Sequence, residues 1–174
     1  MLGRALVGLS DGLDRLCRIA ASAAFVLMIV LIIIQVVARY LLANPPAWTD
    51  EGARYAMVWG GLLGIAIAFR AGADPILMRL EMFNIGFMRM VGGLLRAIST
   101  LIFLGPVWWY CMFGPGMTFA RGYLARTALR DTETLGVPLV FVTASLPIAI
   151  TIVFIHLAAS ALRPPEAEQP RPEL

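Results

Sequence analysis

The sequence predicts an all-α integral membrane protein with four transmembrane helices and short interfacial helices. Two observations carry this expectation. Of the 174 residues, 60% are hydrophobic and 14% charged, with a mean hydropathy of +0.82, against about 45–50% apolar and about 25% charged in soluble domains. Four stretches, 19–38, 55–69, 97–120 and 134–162, contain no Asp, Glu, Lys or Arg and cover half the chain. A hydrocarbon core of roughly 30 Å takes about 20 helical residues. The bundle is therefore expected over 1–163. That leaves no room for a separate soluble domain and excludes most nucleotide-binding and hydrolase chemistry.

The charge pattern orients the spans. Net charge is +3 with a pI near 9.3, and every one of the 14 basic residues is Arg. In a soluble chain this balance would suggest nucleic acid; here the arginines flank apolar spans, so a lipid bilayer is the expected surroundings and no nucleic acid is implied. With four spans and an inner N-terminus, nine arginines lie on the cytoplasmic side and five outside. The positive-inside rule then puts both termini in the cytoplasm.

In chain order, 1–18 mixes Arg4, Asp11, Asp14, Arg15 and Arg18 with Leu6, Leu9, Leu13 and Leu16 at helical spacing. This reads as a short interfacial helix leading into the membrane. The first span, interrupted only by Ser22 and Gln35, is too long for a cleaved signal and is expected to stay as an anchor, ending at Arg39 and Tyr40. Asn44, Pro45 and Pro46 stop it. The second span opens on Trp48, Thr49, Asp50 and Glu51. Thr49 or Asp50 can cap it, the two acids suit the positive end of the helix dipole, and Arg54 follows at ion-pairing distance from both. Gly72 and Pro75 then break the helix, and an interfacial helix is expected near 75–90. A third span over roughly 91–119 holds Arg96, Pro106, Trp108, Trp109 and Pro115, with a kink expected at Pro106. The fourth starts near Leu135, with Pro138 in its first turn and Pro147 inside. The tail 164–174, with four prolines and three glutamates, cannot build a core and is expected to be disordered.

Few side chains suit catalysis. His156 is the single histidine, which leaves no paired haem ligands and little for a zinc site or a nucleophilic triad. No metal ligands or cofactor site are expected, and His156 reads as a packing residue. Cys17 and Cys111 read as unpaired, buried thiols. No acid lies at the centre of a span, and no inverted repeat is visible, so autonomous ion-coupled transport is disfavoured. Gly60, Gly64 and Ala68 recur every four residues, beside Gly61. This seam admits close helix approach, either within the bundle or against a second subunit.

The run from Trp48 to Leu77, WTDEGARYAMVWGGLLGIAIAFRAGADPIL, resembles the signature of the small membrane subunit (DctQ-type) of tripartite ATP-independent periplasmic, or TRAP, transporters. The matching positions are Trp48, Asp50 and Glu51, then Arg54, Trp59, Leu63 with Gly64, and Arg70 with Gly72. Arg39 with Tyr40 and the SLPIA segment around Pro147 are similar as well. Asp74, Pro75 and Ile76 stand where the family often has a His-Ile pair. The resemblance implies a non-catalytic scaffold for a larger membrane subunit that carries an organic acid and sodium. It also implies a periplasmic substrate-binding protein that this chain helps to dock. Trp48, Asp50, Glu51, Arg54, Trp59, Gly60, Gly64, Ala68 and Arg70 are the expected partner-facing residues. The alternative is an anchor or assembly subunit of another membrane complex, such as a respiratory enzyme.

Overall fold

A computed structural model describes residues 2–72, 86–114 and 117–162. The elements are α1 (Leu2–Leu41), α2 (Ala47–Ala71), α3 (Gly86–Met112), a 3-10 turn (Phe119–Arg121), α4 (Tyr123–Thr127), α5 (Val140–Thr143) and α6 (Ser145–Leu162). Among the described residues, four helical stretches, the fourth running through α5 into α6, are long and apolar enough to cross a membrane.

The segment 1–18 is not a separate interfacial helix. Residues 2–41 form one helix of 40 residues, roughly 60 Å long at 1.5 Å per residue and about twice the hydrocarbon thickness. No proline interrupts it, and part of its charge is paired: Arg18 Nε donates to Asp14 at 2.9 Å one turn away. The expected helix near 75–90 falls largely outside the described residues, and 86–90 open α3 instead. The tail 164–174 lies outside them entirely.

α1 and α2 form an antiparallel hairpin. Leu31 lies 3.1 Å from where a Cβ on Gly52 would stand, and the Phe25 ring 3.2 Å from the same point on Gly60. α6 packs on both helices and runs parallel to α2, and the shared core gathers Cys17, Ala21, Leu63, Ala66, Phe69, Ile152 and Val153. α3 packs chiefly on α6 and α4. Trp108 Nε1–H donates to the Thr151 hydroxyl at 2.9 Å, and that hydroxyl donates to the Pro147 carbonyl at 2.7 Å. Polar contacts thus tie α3 to the fourth span where the two helices meet.

Two span ends differ from expectation. α3 stops at Met112, because Gly114 and Pro115 follow and the chain doubles back. A Cβ on Gly114 would stand 2.0 Å from the Arg121 carbonyl oxygen, and one on Gly122 2.3 Å from that of Met112. Only glycine permits this crossing. The fourth span starts at Val140 rather than Leu135, because 130–139 fold into a turn of their own. Thr132 N–H donates to Val137 O at 2.9 Å, Leu139 N–H to Arg130 O at 2.8 Å, and Gly136 takes a left-handed φ of 65°. Pro138 bridges to Asp131 in that turn. Pro147, lacking an N–H, accompanies the break between α5 and α6, where the Ser145 hydroxyl satisfies the Val142 carbonyl at 2.6 Å.

Candidate functional site

The first turn of α2 sits at the end of the bundle away from both termini. Pro46 is its N-cap, with no side-chain cap bond. Thr49 is fully buried, and its hydroxyl donates to the Pro46 carbonyl at 2.6 Å instead of accepting from a helix amide. Trp48 stays exposed. Asp50 and Arg54 form an exposed ion pair at 3.3 Å.

Glu51 behaves differently from Asp50. One residue on, the helix turns its carboxylate inward, leaving it 3% exposed. Oε1 accepts from the Tyr55 hydroxyl and, at 3.1 Å, from Glu133 N–H. Oε2 accepts from Thr134 N–H at 2.8 Å, Leu135 N–H at 2.9 Å and the Thr134 hydroxyl. Three successive backbone amides form a concave anion nest, and Glu51 supplies the anion from within the chain. A buried carboxylate is tolerable only with such a donor set.

Along α2 the remaining expected residues divide. Trp59 Nε1–H donates to the Phe141 carbonyl at 3.0 Å, tying α2 to α5. Gly60 is covered by Phe25 of α1, whereas Gly61 and Gly64 have nothing within 4 Å of a Cβ position. Ala68 is half-buried. Arg70 closes the other end: Nη1 donates to the Ser10 carbonyl at 2.7 Å, and Nη2 pairs with Asp11 at 2.5 Å. Asp14 lies 3.5 Å from Nη1. The Ser10 hydroxyl meets His156 Nδ1 at 2.8 Å, so a buried polar contact joins α1 to α6. Arg96 of α3 donates to the Phe69 carbonyl at 2.5 Å and lies 4.2 Å over its ring. Ser10, Arg70, Arg96, His156 and Ser160 line a cavity of about 40 Å³ there.

The sequence places Arg54 within reach of both Asp50 and Glu51, but the structure pairs it with Asp50 alone, and the actual partners of Glu51 and Arg70 lie mostly far along the chain. Ser10, Asp11 and Asp14 lie some sixty residues from Arg70, and the amides at 133–135 more than eighty from Glu51. Backbone donors carry no side-chain motif, so nothing in the sequence pointed to them.

Four helices of spanning length, joined by buried polar ties at both ends, define the class: a multi-pass α-helical membrane protein. Residues 28–165 match the family model for the DctQ component of tripartite ATP-independent periplasmic transporters, so the chain belongs to that family. It is a small membrane subunit of a TRAP transporter, a non-catalytic component. Comparison with curated proteins finds no match.

Proposed function

We propose that this subunit scaffolds the large membrane subunit of a sodium-coupled TRAP transporter for an organic acid, and helps to dock the periplasmic binding protein. The observation that carries the reading is the contrast within the bundle. α2 is tied at both ends by Glu51 and Arg70, while α3 leaves apolar residues such as Ile102 and Phe103 exposed beyond its contact with α6. A fixed frame with an apolar flank suits a partner that moves. On α2, the open positions Gly61 and Gly64 with Ala68 are the first candidates for the large subunit, and Trp59, Gly60 and Arg70 serve that contact by holding the frame. Trp48, Asp50 and Arg54 are candidates for the binding protein, with Glu51 setting their position.

Sodium and substrate ligands then belong to the large subunit. Both termini face the cytoplasm, following the nine-to-five arginine balance. The test is reconstitution in liposomes with a sodium gradient, the binding protein and its substrate. This chain alone is expected to accumulate nothing, and addition of the large subunit to restore uptake. Accumulation by this chain alone would refute the scaffold reading.

A further inference from the structure

We propose that the connector 117–139 is the surface on which the periplasmic binding protein lands, through an acidic patch on that protein. The proposal rests on the docking reading above and gives it a location and a chemistry. Within ten residues the connector displays Arg121, Arg126 and Arg130, all exposed. Among the described residues none of the three enters an ion pair; Arg15 and Arg39 of α1 enter none either, but they stand apart, whereas these three share one short connector. Between them lies Leu129, 88% exposed, and Phe119 and Tyr123 are exposed as well. Arginine and aromatic residues are the side chains enriched in protein interfaces, and Leu129 adds exposed apolar area beside them.

The backbone beneath this surface is held in one shape. Thr127 is buried, its hydroxyl 2.9 Å from that of Thr143, the turn at 130–139 carries two backbone bonds, and the Glu51 carboxylate grips its tip. A preorganised surface loses less freedom on binding than a loose one. Asp131 and Glu133 are also exposed here. Such a mixed-sign surface gives register against a protein and works against a uniformly anionic lipid surface.

The experiment uses the complex of small and large subunits in nanodiscs, with the soluble binding protein titrated at low and high salt. The wild-type complex is expected to bind more weakly at high salt. Arg121→Glu, Arg126→Glu and Arg130→Glu together should cost roughly tenfold or more in affinity at low salt and remove most of the salt dependence. Replacement of all three by Lys should keep binding nearer to wild type. Should the reversed variant fail to assemble, Arg126→Ala and Arg130→Ala, both at exposed positions, decide, each expected to weaken low-salt binding. Reversed-charge or Ala variants that assemble and bind like wild type would overturn the proposal. So would variants that bind normally but leave vesicles containing phosphatidylglycerol, an outcome assigning the arginines to lipid. A wild-type complex that binds no periplasmic protein at either salt would instead defeat the docking reading itself.

Discussion

At the scale of single residues, neighbours of the same type do different work. Asp50 and Glu51 are adjacent acids, but Asp50 makes an exposed pair of the kind usually worth about 0–1 kcal/mol. Glu51, itself only 3% exposed, satisfies three amides and two hydroxyls in part-buried contacts. Asp50→Ala should therefore change the thermal midpoint of the purified subunit little, whereas Glu51→Ala should lower it clearly and open 133–135 to hydrogen exchange. Glu51→Gln, which keeps two acceptor sites on one oxygen but adds donors facing donors, should fall nearer to Ala than to wild type. Equal midpoints for all variants would show that the nest is not structural. Gly60 and Gly64 form a similar contrast. Leu at 60 must displace the Phe25 ring and should destabilise the α1–α2 hairpin by about 1–3 kcal/mol. Leu at 64 meets open space within this chain. The expected outcome is a folded Gly64→Leu subunit that loses co-purification of the large subunit, and a Gly60→Leu subunit that loses stability on its own.

At the scale of helices, what the sequence made legible was local. Uncharged runs located the four spans, and Pro46 and Gly72 marked ends because their effects act within a few residues, whereas the stop before Gly114 depends on a chain crossing that no local signal shows. The charges in 1–18 suggest a short interfacial helix leading into the membrane, since nothing in those eighteen residues shows that an arginine sixty positions later will neutralise them. Arg70 is that residue, and its side chain is only 19% exposed. Arg70→Ala leaves the Ser10 carbonyl and Asp14 short of a donor and should cost about 1–3 kcal/mol. Helix protection measured by hydrogen exchange should fall first near residues 8–16, ahead of the membrane-embedded half of α1. The start of the fourth span was misjudged for a related reason. Pro138 suits a helix's first turn, but the bonds from Thr132 and Leu139 fold it into a hairpin-like turn that only the full connector can make.

At the scale of the molecule, the two ends of the bundle carry unlike devices: an arginine clamp near the termini and a carboxylate nest at the other end. Leu129, strongly exposed beside that nest, reports which side of the membrane it occupies. In a variant whose buried Cys17 and Cys111 are replaced by Ala, Leu129→Cys should react with a membrane-impermeant thiol reagent added to intact cells. Labelling only after lysis would invert the topology derived from the arginine count.

The nest also sets an order of events at the ribosome. Glu51 emerges first, and the amides that will hold it follow 82 to 84 residues later, a wait on the order of 5–15 seconds at ordinary synthesis rates. Through that interval the nascent second span carries an unmatched carboxylate at its entry, a state open to membrane proteases. A chain truncated before residue 133 never acquires the nest, and is expected to be cleared faster than one that has merely lost its tail, as a pulse-chase would read.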